Sequence, residues 1–154
     1  MTPIKLMLTF DRFFTRSKSG AIWGRIYFEI GDGQFFPSNE WTDLVAAFMR
    51  GWLWGLLQIA DGAATEESVP FYDGPFSVKV SANRAGVLGL SFVGREVVTG
   101  SATAGIKSLL QEAATITEQL LAHCQEKEWN NDDIEALPLL LARAERIARV
   151  SGPT

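Results

Sequence analysis

The stretch AAFMRGWLWGLLQIA, residues 46–60, places Trp52 and Trp54 and a single charge, Arg50, in one apolar run. Few architectures absorb such a segment. A membrane span needs about 20 apolar residues, and a charge at its centre costs ~2.5–3.5 kcal/mol. The run from Leu44 to Ala60 is shorter than that and carries Arg50 and Gln58. Trp41, Leu44, Val45, Phe48, Trp52, Leu56 and Ile59 recur at spacings of three and four, which is one stripe of a helix. Ser38 or Asn39 is placed to cap it, Glu40 and Asp43 to sit near its first turn, and Asp61-Gly62 to end it. The spacing therefore predicts a helix from Asn39 to Ala60, about 33 Å long. Met49, Leu53, Trp54 and Leu57 fall off the main stripe, so this helix expects cover on more than one side.

The flanking sequence supplies that cover. Ile4, Leu6, Leu8 and Phe10 alternate, as do Ile22, Ile26, Phe28 and Ile30, and period 2 predicts strands with one buried face. TRSKSG suits the connection between them, and Phe35-Phe36 suits a very short strand. Residues 61–70 read as an acidic loop. Phe76, Val78 and Val80 open another strand after the Asp73-Gly74-Pro75 turn. NRAG is a hairpin turn, and VLGLSFVG and REVVTG read as two strands or one bent strand.

A helix is predicted from about Ala102 to Lys127, with Ser101 or Thr103 as its cap. WNNDD reads as a stop and a fresh helix start, and Pro138 as a break before the final helix PLLLARAERIARV. The order lacks regular βα alternation. It predicts an α+β fold, with an antiparallel sheet of about four to six strands packed against a long Trp-rich helix and C-terminal helices. At this length a single domain over residues 1–154 is expected.

The chain holds one cysteine, Cys124, which fits a reducing, cytoplasmic setting, and its first residues lack the features of a signal peptide. The net charge is −4 and the pI about 5.0. That argues against a nucleic-acid partner, which needs a basic surface, as the charged and short apolar run argues against a membrane. The charge is unevenly placed. Asp61, Glu66, Glu67 and Asp73 occur with no nearby base, and EKEWNNDDIE carries five acids and one lysine.

No established catalytic motif stands out. His123 and Cys124 are adjacent, so a helix points them about 100° apart, poor geometry for a catalytic pair or a metal site. VVTGSATAGIKSLL departs from a phosphate-binding loop by one extra residue, because Ile106 intervenes between Gly105 and Lys107 and turns the lysine away. The acid pairs Glu66-Glu67 and Asp132-Asp133 have no fixed partner for acid–base work. A non-catalytic protein without cofactor or metal is the expectation.

Three segments, FPSNEWTDLV, GWLWGLL and FYDGPFSVKV, followed by WNNDDIEAL, resemble small bacterial immunity-type proteins of polymorphic toxin systems. The resemblance spans most of residues 36–137 and is carried chiefly by Phe36-Pro37, Trp41, Asp43, Trp52 and Asp73-Gly74-Pro75. It implies a protein that binds a cognate toxin domain and occludes it. Acidic side chains beside aromatic anchors suit a basic, nuclease-like partner. The candidate contacts are Asp61, Glu66, Glu67, Phe71, Tyr72 and Asp73 in one segment, and Glu128, Trp129, Asp132 and Asp133 in another. The alternatives are another protein-binding module, a homodimer through the Trp-rich helix, and a small-molecule binder with an apolar pocket between helix and sheet.

Overall fold

Twelve elements make up the computed structural model, which describes residues 4–31 and 33–150. In chain order they are β1 (Ile4–Thr9), β2 (Thr15–Arg16), β3 (Ile22–Ile30), β4 (Phe35–Phe36), β5 (Thr42–Leu44), α1 (Val45–Ala60), β6 (Glu66–Pro70), β7 (Phe76–Arg84), β8 (Val87–Gly94), β9 (Val97–Gly105), α2 (Ile106–Glu126) and α3 (Asp132–Val150). The class is α+β, as the element order predicts. The strands form two antiparallel sheets rather than one. The first is built on β3, which pairs with β1 and β2 along one edge and with β4 and β5 along the other. The second is the meander β6-β7-β8-β9.

α1 lies between these layers. Met49, Trp52, Leu53, Leu56 and Leu57 are all fully buried, so three of the four residues off the predicted stripe are covered too, while Trp54 is left exposed. Trp52 packs edge-on against Phe28 of β3, and Phe28 in turn meets Phe92 of β8. α2 and α3 close the helix from the C-terminal side. Buried side chains from both sheets and all three helices form one core. On β3 the alternation is complete from Ile22 to Ile30, buried at every second position.

Several predicted boundaries move. α1 begins at Val45, not Asn39, which shortens it to about 24 Å. Thr42, Asp43 and Leu44 pair with Arg25, Gly24 and Trp23 of β3, and no side chain caps the helix. Residues 66–70 are a strand rather than part of a loop, because β7 offers them a partner edge. Glycines at positions 51 and 55 let that strand approach α1: a Cβ on Gly55 would lie 3.1 Å from a Val69 methyl.

α2 begins at Ile106, and Ser101 and Thr103 belong to β9 rather than capping it. That leaves no glycine loop between strand and helix, so the phosphate-loop likeness of residues 97–110 has no structural counterpart. α3 runs unbroken through Pro138. The proline is exposed, where the backbone carbonyl it leaves without a helical donor can turn toward water. The fresh start at WNNDD holds: Asn131 Oδ1 accepts the Ile134 N–H at 2.8 Å as an N-cap.

Candidate functional site

Asp43 organises the surface that stands out. It is fully buried, and its carboxylate accepts four donors. Trp41 Nε1 donates to Oδ2 at 2.8 Å, the Leu44 N–H to Oδ1 at 2.7 Å, the Tyr72 N–H to both oxygens at 3.1 Å, and the Asp73 N–H to Oδ2 at 3.2 Å. Trp41 and Asp43 stand two residues apart in extended chain, which puts both side chains on one side. The carboxylate ties the entry of α1 to the turn at Tyr72-Asp73-Gly74. Trp41 also closes over that turn: a Cβ on Gly74 would lie 2.9 Å from the indole.

The chain from β6 into this turn runs antiparallel along α1. Glu67 lies beside Gly55, Val69 beside Gly51 and Gly55, and Phe71 stacks on Phe48 at 4.4 Å. Tyr72 is thereby delivered to a groove of about 380 Å³ shared with Ala47, Arg50, Gly51, Trp54 and Asp133. Trp54 is 47% exposed and Tyr72 51% exposed, the most exposed aromatic side chains described. Arg50 Nη1 donates to Asp133 Oδ1 at 3.2 Å and bridges α1 to the first turn of α3. Partial burial, followed by the nearby negative charges of Asp133 and Asp43, pushes the Tyr72 hydroxyl above its ordinary pKa. The phenol is therefore a neutral donor here.

The two acidic segments meet in this groove, but only in part. Tyr72 comes from one and Asp133 from the other, with Asp73 and Asp132 exposed beside them. Phe71 is 3% exposed and belongs to the core, so it is corrected out of the surface set. Asp61 ends α1 and pairs with Arg143 of α3. Glu66 pairs with Lys79 of β7 at 2.9 Å, and the alternation of β6 points it away from Glu67.

Trp129 is half-buried against Phe14, with ring centroids 5.1 Å apart and Lys127 over its face at 5.2 Å. It fastens the α2–α3 connection, where Glu128 takes a left-handed conformation with φ of 59°. Arg50 and Trp54 were absent from the predicted contacts. The signal for Trp54 was its position opposite the main helical stripe. Arg50, the one charge in that run, had no sequence-local partner to mark it.

Other chemistry-bearing groups are placed differently. Cys124 is buried, and burial raises its thiol to about 11. His123 stacks on Phe10 at 3.8 Å. Among the described residues no three His, Cys, Asp or Glu side chains converge as metal ligands, and no helix is long and apolar enough to cross a membrane. Between α1 and the sheets, buried side chains of both pack into one core. An open cleft of about 330 Å³ lies at the far end of α1, against Ile59, Ala60, Leu88 and Ile106.

No protein-family model, no curated protein and no solved structure matches this chain.

Proposed function

We propose that this chain is a non-catalytic binding protein that occludes a basic protein domain, and that it acts as the immunity partner of a bacterial toxin domain. The observation that carries the reading is the Trp54–Tyr72 groove. Trp, Tyr and Arg dominate binding hot spots, because they bury large area for few rotatable bonds. Here all three line one groove, with Asp133 paired to Arg50 and the exposed Asp73 and Asp132 adjacent in sequence. Asp73 and Asp132 carry exposed carboxylates next in sequence to the groove residues Tyr72 and Asp133, which favours a partner bearing Lys and Arg and speeds encounter. The toxin assignment rests on the resemblance of residues 36–137 to immunity-type proteins.

The test has two arms. The full chain is co-expressed with candidate toxin domains and scored for restored growth, and affinity is measured for the domain it rescues. Trp54→Ala and Tyr72→Ala should each weaken that affinity about thirtyfold or more, the ~2 kcal/mol of a hot spot. A rescued toxin domain that binds both variants as it binds the native chain places the contact elsewhere. Failure of every toxin domain, with a non-toxin protein captured through Trp54, overturns the immunity assignment alone.

A further inference from the structure

A second surface, far along the fold from Trp54, concerns the free edge of β1. Among the described residues β1 pairs only with β3. The Leu6 N–H points away from β3 and donates to Glu112 Oε2 of α2 at 3.1 Å. Antiparallel pairing alternates the direction of backbone groups, so the N–H and C=O of Ile4 and Leu8 also face outward. The other side of β3 agrees: Ile26 and Ile30, the partners of Leu8 and Ile4, turn their N–H groups away from β1, toward the carbonyls of Trp41 and Gln34. Outside this edge lies an open groove of about 470 Å³. Its far wall is the face of α2 bearing Ser108, Gln111, Thr115 and Gln119. These residues span twelve positions of helix, about 16 Å from first to last, the length of roughly five extended residues.

Among the described residues Glu112 is the one side chain shown bonding this outward backbone, and its carboxylate is incompletely partnered. Its Oε1 is buried with no hydrogen-bond donor among the described residues. A side-chain oxygen is standing where the carbonyl of a neighbouring strand would stand. We infer that the outer edge of β1 receives an extended peptide segment of a partner, adding a strand to the first sheet and displacing Glu112 from the Leu6 N–H. Only extended backbone offers donors and acceptors at the spacing that Ile4, Leu6 and Leu8 present.

The groove also says which segment fits. It carries one charge of each sign, Lys5 and Glu112; its α2 wall offers hydroxyls and amides beside Ile116, and its strand wall Leu6, Met7 and Leu8. The occupant is therefore a segment of uncharged residues, whose polar side chains the α2 hydroxyls and amides can hydrogen-bond and whose apolar ones can cover Met7, Leu8 and Ile116. A second copy of this chain fits worse. Two-fold pairing of β1 with β1 about Leu6 would bring both copies' Glu112 carboxylates to one edge. The edge of β6, by comparison, is guarded by Glu66 and Pro70. This inference does not depend on the Trp54 surface.

The probe is a displayed random-peptide library selected on the immobilised full chain. Enriched peptides should be poor in charge. Their affinity should fall about tenfold or more on Thr115→Trp, an exposed position whose indole would fill the groove. Leu8→Pro should abolish binding, since proline removes an outward N–H that β3 does not use. Because Leu8→Pro also trims packing, hydrogen exchange on the native chain is the control: a bound peptide should slow exchange of the Leu8 amide about tenfold or more. A library whose binders all tolerate Thr115→Trp overturns the inference, as does binding that leaves Leu8 exchange unchanged. Sedimentation showing a dimer that Thr115→Trp dissolves would replace the peptide by a second copy, and equally overturns it.

Discussion

Glu112→Gln should stabilise the protein at pH 8 and leave it unchanged at pH 4. Burial holds the Glu112 carboxyl at about 7, against an ordinary 4.5, and the Leu6 N–H and the charge of Lys5 only partly offset that. The unfolded chain thus releases this proton near 4.5 and the folded chain near 7. Below 4.5 both states carry it, and the side chain costs nothing for its charge. As pH rises from 4.5 through 7 the folded state is progressively penalised, and above 7 the full penalty stands. At ~1.4 kcal/mol per pKa unit, a fully enclosed group would lose about 3 kcal/mol; the open groove beside Glu112 reduces that to about 2 kcal/mol. Glutamine keeps the shape and an acceptor for the Leu6 N–H, and never ionises. Urea unfolding followed by tryptophan fluorescence at pH 4, 6 and 8, compared between the native chain and Glu112→Gln, isolates this one group. A stability difference that is the same at every pH would refute the reasoning, and so would a variant less stable than the native chain at pH 8.

Asp43→Asn swaps a four-donor acceptor for a group whose NH2 must face two of those donors. The loss should be about 2–4 kcal/mol, read as a fall in Tm of roughly 6–12 °C by calorimetry. Gly74→Ala drives a methyl into the Trp41 indole and should loosen the Tyr72 turn, measurable as faster hydrogen exchange at the Tyr72 and Asp73 amides. Trp52→Ala should cost about 3–5 kcal/mol in denaturant unfolding, whereas Trp54→Ala should cost no more than about 1 kcal/mol. Cys124 should resist a maleimide at pH 8 until the chain unfolds, so that its labelling follows the unfolding curve.

The contrast between β3 and α1 shows where the sequence was legible. In β3, burial of one face imposes period 2 on every position, and the strand could be read without knowing its neighbours. At the start of α1 two periods overlap. Trp41, Leu44, Val45 and Phe48 satisfy a helical stripe, while Trp41 and Asp43 satisfy a strand. The choice is made by groups distant in sequence: the β3 backbone at 23–25 and the amides of Tyr72 and Asp73.

The same holds for β6. Glu66, Glu67 and Ser68 have poor strand propensity, and pairing with β7 overrides it. At the surface, composition pointed to Tyr72, Asp73 and Asp133. It could not separate Phe71 from Tyr72, because which of two adjacent side chains turns inward depends on the register of the turn against α1. Nor could it find Glu112, whose placement opposite Leu6 joins residues 106 positions apart.

Trp52 and Trp54 show why the Trp54 surface is suited to binding. Two positions apart on α1, they point about 160° apart. Trp52 is locked in the core by Phe28 and Phe48, while Trp54 opens to solvent beside Tyr72. Nearly every other side of α1 is covered, by both sheets and by α2 and α3. The backbone under Trp54 is therefore fixed before any partner arrives. Tyr72 is fixed likewise, because its N–H and that of Asp73 are held by a fully buried carboxylate. A partner that closes over these rings orders two side chains of two torsions each, and no backbone, which keeps the entropy lost on association small. An exposed tryptophan on a frayed helix would lack that advantage. Here the apolar excess of residues 46–60 serves both ends: most of it builds the core, and the rigidity so gained is presented to solvent through Trp54.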